Sequence, residues 1–225
     1  MNNLNLPEII DLDIFSVNNF NVEVYRDSWG DYLVIDDFWM YPDKIYELAL
    51  KTPTVKLPGA YDNANNGIDY YDGRSHFVFY KKPFFTNILE DIVLKCFNLN
   101  PVDISQERLF HIANNLFNTT PEYYNKHKNS FYAPHVDGDN VIAAISYLNK
   151  EYEDYDGTVI FRKHGLHYTL GGWVNSEDND KIGFLPAKFN RLILYDGSVY
   201  HASAISHRWI TDIRHTMVYF MEVYK

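Results

Sequence analysis

His135, Asp137 and His201 are the residues of this chain best suited by type and order to hold a metal ion. The first two stand in Phe131-Tyr-Ala-Pro-His-Val-Asp-Gly-Asp139, and the third closes Leu194-Tyr-Asp-Gly-Ser-Val-Tyr-His201. Two imidazoles and one carboxylate can occupy one triangular face of an octahedral ion, leaving the opposite face for substrate, oxygen or water. A spacing of two puts His135 and Asp137 on the same side of an extended strand. His201 then has to arrive from another strand laid alongside. Arg214 follows at the start of the last apolar stretch, where its guanidinium could hold the carboxylate of an acidic co-substrate. The plainer alternative is a hydrogen-bonded His–Asp pair at a sheet rim, with His201 merely at a strand end. The full ordered set favours the metal, because buried Asp and Arg are costly unless paired or liganded.

The elements that must position these residues follow from apolar spacing. Asp43–Leu50 reads as a helix entered through Pro42, with Ile45, Leu48 and Leu50 on its apolar side. Phe84–Phe97 reads as a second, with Ile88, Ile92 and Cys96 recurring every four residues. Strands are expected near Val22–Tyr25 and over Tyr32–Phe38. From about Gln106 the pattern becomes a series of short strands: Leu109–Ala113, Ala133–Asp137, Val141–Leu148, Thr158–Phe161, Leu192–Leu194, Val199–His201 and His215–Val223. Val141–Leu148 is apolar almost throughout, as expected of a strand covered on both faces. Residues 52–74, Asn114–Ser130 and Arg162–Lys181 read as loops. No repeat or long linker divides the chain, so one domain over residues 1–225 is expected.

Composition narrows the class. The 225 residues are 46% hydrophobic and 17% aromatic, with 19 Tyr and 15 Phe, which favours a sheet-rich globular protein over disorder. A formal charge of -10 argues against a nucleic-acid partner, and Lys81-Lys82 and Lys126-His-Lys128 read as solvated surface. Cys96 is the single cysteine, so there is no internal disulfide, and its apolar setting suggests a buried thiol. The first residues lack a signal core and no run has membrane-spanning length, so a cytoplasmic protein without a membrane partner is expected. Monomer and homodimer both stay open.

The chain resembles the Fe(II)/2-oxoglutarate-dependent oxygenase superfamily, especially its prolyl-hydroxylase-like branch and the uncharacterised DUF6445-type proteins. Tyr132-Ala-Pro-His135-Val-Asp137 is similar to the motif in which a Tyr precedes the first metal His. Ser146-Tyr-Leu-Asn149 and Asp156-Gly-Thr-Val-Ile-Phe161 resemble the next hairpin, with the usual paired glycine reduced to Gly157. Asn190–His201 resembles the strand pair that delivers the distal His, and Arg214–Phe220 the final core strand with its basic anchor. The match covers residues 106–223, with looser likeness towards residue 30. It implies a mainly β fold with N-terminal helices: a double-stranded β-helix, or distorted jelly roll of cupin-like form. Residues 1–105 would be an N-terminal elaboration and 106–223 the catalytic core.

By the same resemblance His135, Asp137 and His201 ligate Fe(II), with 2-oxoglutarate and O2 as co-substrates of a hydroxylase that yields succinate. Arg214 is the expected anchor for the distal carboxylate of 2-oxoglutarate, with Arg208 as its rival. Tyr132, Tyr147 and Ser203 are the auxiliary candidates. The retained Asp137 favours hydroxylation over halogenation, in which halide takes the carboxylate's place on the metal, while desaturation, ring formation and demethylation can use the same facial site. Residues 162–188, with Trp173, Tyr168 and Phe184, are expected to form a lid. The Gly59–Arg74 loop would frame the opposite rim. His164 and His167 read as loop residues and Asp139 as part of a Gly-Asp turn. The substrate would be a small molecule, an amino acid or a peptide. A non-catalytic jelly-roll binding protein and a cupin-like metalloenzyme that does not use 2-oxoglutarate are the competing readings.

Overall fold

The apolar run after the metal pair explains the architecture. A computed structural model describes residues 12–51, 55–56, 68–79, 84–101, 108–119, 130–162, 173–175, 181–204 and 212–224. In chain order the elements are a 3-10 turn (Leu12–Phe15), β1 (Glu23–Asp27), β2 (Gly30–Ile35), α1 (Pro42–Lys51), β3 (Val55–Lys56), β4 (Ile68–Phe79), α2 (Phe84–Cys96), β5 (Asn100–Pro101) and β6 (Arg108–Thr119). There follow β7 (Ser130–His135), β8 (Val141–Tyr147), β9 (Gly157–Phe161), β10 (Trp173–Asn175), β11 (Lys181–Pro186), β12 (Leu192–Asp196), β13 (Tyr200–Ala204) and β14 (Arg214–Tyr224).

Two antiparallel sheets result. Among the described residues the larger has the order β1-β2-β12-β8-β14-β6-β4-β3, with β5 beside the end of β14, and the smaller runs β10-β7-β13-β9-β11. From β6 onward the chain passes back and forth between the sheets, β6, β8, β12 and β14 going to the larger and β7, β9 to β11 and β13 to the smaller. This is the winding of a double-stranded β-helix, an open one rather than a closed barrel.

Strand periodicity gives the larger sheet two buried faces. Ile142, Ala144, Leu192, Leu194, Met217, Tyr219 and Met221 pack on Ile45, Ala49, Leu89, Ile92 and Val93 of the two helices. Their alternates Ala143, Ile145, Tyr147, Ile193 and Tyr195 face Ile160 and Leu185 of the smaller sheet. The parity of β14 therefore sends Arg214 between the sheets and His215 to the helix side, where its ring meets Tyr46 edge-on.

Two polar clamps fix the entry segment. Asn190, at a positive φ of 60° that Asn tolerates, accepts from Trp39 N–H through Oδ1 and donates through Nδ2 to Trp39 O. Trp39 Nε1 donates to Ser146 Oγ at 2.9 Å, tying the segment to β8. On the rim Asp36 receives Arg191 through both oxygens and Lys188 through Oδ2. Those cations, Arg191 first, hold its carboxyl down to about 2.

Several sequence expectations are corrected. The loop read over residues 52–74 contains β3 and the start of β4, and the loop read over Asn114–Ser130 contains the second half of β6. β4 and β6 pair along their whole length, from Ile68↔Thr119 to Phe79↔Arg108. Leu50 is 56% exposed while Ala49 takes the inward position. Cys96 is half-buried against the helix-side core. β8 and β9, read as a hairpin, pair with different sheets, because Asn149–Asp156 carries the chain across the fold rather than back along it. Gly157 opens β9 because a Cβ there would collide with Leu185 O of the neighbouring strand.

His215 should make stability acid-sensitive. Burial holds its imidazole down to about 4 from an ordinary 6.5. A depressed folded value means the contribution is complete above about pH 6.5 and is lost as pH falls from there through 4. The full shift corresponds to up to about 3 kcal/mol. The urea midpoint of His215→Phe is expected to fall less than that of the parent between pH 7 and 4; parallel profiles would contradict this.

Candidate metal centre and anion pocket

His135 ends β7 and His201 lies directly across from it on β13. The next pairing, Ser203 with Tyr132, skips one residue of β7, so a bulge falls at Ala133-Pro134. Proline is tolerated there because a bulge leaves its position out of the ladder. The two imidazoles come together with centroids 4.4 Å apart.

Asp137 reaches them differently from the sequence expectation: it lies beyond the end of β7, not on it. Its N–H donates to Gly197 O at 2.8 Å, and Gly197 N–H donates to Val141 O at 2.7 Å. This clasp aims the carboxylate so that Oδ1 is 3.6 Å from His135 Nε2 and Oδ2 is 3.6 Å from His201 Nε2. All three ligand atoms lie within 4.8 Å of one another. Such separations are too long for direct hydrogen bonds and suit donors that share an ion.

His201 is in the chemical state that a metal ligand needs. Burial, reinforced by His135, pushes the His201 imidazole down to about 3, so it is neutral over the physiological range. His201 Nδ1 lies 3.1 Å from Val199 O; as the donor to that carbonyl it leaves the Nε2 lone pair for a metal. Side-chain exposure is 52% at His135 against 7% at His201 and 10% at Asp137, so the centre opens on the His135 side. A set of two imidazoles and one carboxylate with an open face fits Fe(II).

Gly197 is the spacer of this arrangement. A Cβ there would lie 3.0 Å from Val141 O and 3.1 Å from Asp137 Cβ. Gly197→Ala is therefore expected to displace Asp137 and weaken Fe(II) binding by roughly 10–100-fold, the range for lost ligand support. An unchanged affinity in a competition titration would contradict it.

Arg214 enters the same inter-sheet space at 2% exposure. Nη1 donates to Ser203 Oγ at 3.1 Å, and the guanidinium sits over the Tyr147 ring at 5.6 Å. Nε and Nη2 are buried without a hydrogen-bond acceptor among the described residues. No carboxylate among the described residues pairs with it. A buried cation with two open donors is a socket for an anion.

Tyr147 is fully buried, with its hydroxyl 3.0 Å from Thr158 Oγ1, and burial raises its phenol, so it stays protonated. Asn149 supports the same corner: Oδ1 accepts from His215 N–H, Nδ2 donates to Ile213 O, and its N–H donates to Tyr152 Oη.

The structure thus brings together His135, Asp137 and His201, and beside them Arg214, Ser203 and Tyr147. Tyr132 is placed by its backbone opposite Ser203 and Trp173, its side chain lying outside the described set. Arg208, His164, His167 and Tyr168 lie outside the described residues. Asp139 is exposed. Phe184 belongs to β11 and packs on Val159 and Phe161, so that part of the expected lid is a strand of the smaller sheet. Sequence reasoning missed Thr158, Asn149, Gly197 and Tyr195. The Gly197 signal was present in the Asp-Gly-Ser turn, whereas Tyr195, read as part of that reversal just past Leu192–Leu194, belongs to β12.

No protein-family model and no curated protein matches the chain. Solved structures with a similar chain trace include a Pseudomonas putida prolyl-4-hydroxylase at 11% identity, covering 95% of this chain and 97% of that one with a TM-score of 0.46. The epimerase SnoN, in complex with Fe3+, alpha ketoglutarate and nogalamycin RO, is 12% identical over 88% of this chain and 80% of its own, TM-score 0.47. A 2OG-Fe(II) oxygenase family oxidoreductase from Burkholderia pseudomallei is 12% identical over 81% and 77%, TM-score 0.41. Among the described residues no helix is long and apolar enough to cross a membrane.

Proposed function

We propose that this chain is an Fe(II)- and 2-oxoglutarate-dependent oxygenase that hydroxylates an unactivated C–H bond of an amino acid, a peptide residue or a small metabolite. One observation carries the reading: a His-Asp-His face shares its inter-sheet space with a buried guanidinium whose Nε and Nη2 lack acceptors among the described residues. A cupin-like metal enzyme without an acidic co-substrate leaves that guanidinium unexplained.

The strand acts as a ruler. His201 and Ser203 are alternate residues of β13, so the Ser203–Arg214 pair lies one two-residue repeat, roughly 7 Å, along from the metal ligand. A five-carbon oxo diacid can chelate at one end and reach Arg214 with the other. Within that frame His201 and His135 present lone pairs, Asp137 supplies the negative charge of the ligand set and holds the place a halide would need, and Arg214 with Ser203 orients the acid. When bound, iron supplies oxygen activation and C–H oxidation, with 2-oxoglutarate consumed to succinate and carbon dioxide. The exposed side of His135 is where a primary substrate would approach.

Fe(II)-loaded protein is expected to form succinate from 2-oxoglutarate slowly even without a primary substrate. His201→Ala is expected to reduce that to the rate of free iron, and equal succinate from both proteins would overturn the reading.

A further inference from the structure

Tyr195 is a buried polar residue to which the mechanism above gives no task. It lies on β12 at 3% exposure, on the face between the sheets. Its ring meets the His201 ring edge-on, with centroids 5.1 Å apart and planes at 72°. Asp137 and Arg214 are the charged groups that act on its hydroxyl, from the metal side and the anchor side of the same space, with Tyr147 beside them. That hydroxyl makes no hydrogen bond among the described residues. Packing alone would be served by Phe, which fills the same volume without placing a hydroxyl beside a metal ligand. A phenol kept at this position, with Arg214 also holding open donors, is fitted to a ligand that brings acceptors to both.

We infer that Tyr195 is a binding residue for the metal-proximal carboxylate of the oxo acid, donating its O–H there while Arg214 and Ser203 hold the far end. The choice of end follows from contact: Tyr195 rests on a metal ligand, whereas Arg214 rests on Ser203 and Tyr147 further along β13. The inference rests on the oxygenase reading proposed above.

Anaerobic calorimetry on Fe(II)-loaded protein tests it with two probes, 2-oxoglutarate and oxalate, the second being a chelator too short to reach Arg214. Tyr195→Phe is expected to raise the Kd of both about tenfold, the cost of one hydrogen bond to a charged group. Arg214→Ala is expected to raise the Kd of 2-oxoglutarate and leave oxalate unchanged. The metal-free Tyr195→Phe protein should melt no lower than the parent, since the lost hydroxyl has no hydrogen-bond partner among the described residues, and a merely structural tyrosine would show the reverse pattern. Should the Phe variant fold poorly, Tyr195→Met removes the same donor. Unchanged affinity for both probes in a folded variant overturns the inference. Weakened 2-oxoglutarate with unchanged oxalate also overturns it, by moving Tyr195 to the far carboxylate. Wild-type protein that binds oxalate but not 2-oxoglutarate overturns the oxygenase reading itself, and the inference with it.

Discussion

Asp137→Ala is expected to abolish functional Fe(II) binding and oxo-acid turnover while leaving the fold intact. Asp137 is the only anionic member of the triad, and its oxygens stand 3.6 Å from both His Nε2 atoms. The loss should exceed the roughly 10–100-fold typical of removing a group that merely supports a ligand. The backbone clasp does not use the side chain: Asp137 N–H still donates to Gly197 O after the substitution. Metal-free Asp137→Ala should therefore melt close to the parent, while iron no longer raises its melting temperature. An iron-dependent rise equal to the parent's would contradict the metal assignment.

Arg214→Met is expected to trade function for stability. Two charge-assisted hydrogen bonds from Nε and Nη2 would be lost, each about 1.5–3 kcal/mol, which raises the Kd of 2-oxoglutarate by at least about 100-fold. In the metal-free protein the sign reverses. There the guanidinium is buried with no carboxylate among the described residues to pair with it, Ser203 and Tyr147 being its neutral neighbours, and an apolar side chain of similar volume should stabilise by about 1–3 kcal/mol. Denaturant midpoints and calorimetry together read both effects. A destabilised variant with unaltered 2-oxoglutarate affinity would show that Arg214 is a structural residue.

Much of the site was legible because its chemistry depends on residue type and chain order. His135, His201 and Arg214 stand out as polar residues at the ends of apolar runs, and strand parity sends His201, Ser203 and Arg214 into one space. The position of Asp137 was not legible in the same way. Its approach depends on Gly197, 60 residues away in the sequence, and on a clasp to Val141 that no local pattern encodes. Tyr195 escaped notice because the Asp-Gly turn signal beside it ended the expected strand at Leu194, whereas β12 runs on to Asp196. The long pair β4 and β6 was hidden by Asp72-Gly73 and Asn114-Asn115, which depress strand propensity but pair with each other in register. The supposed hairpin of β8 and β9 failed for a related reason. The chain crosses from the larger sheet to the smaller between β8 and β9, and only long-range pairing reveals it.

The central claim is that one inter-sheet space holds a metal face and an oxo-acid socket together. Its most direct test is an anaerobic titration of 2-oxoglutarate into Fe(II)-loaded protein, following the visible metal-to-ligand charge-transfer absorption. The account expects a saturable band in the parent, none in His135→Ala, and saturation only at far higher 2-oxoglutarate in Arg214→Ala. A folded, iron-loaded parent that develops no band would contradict it.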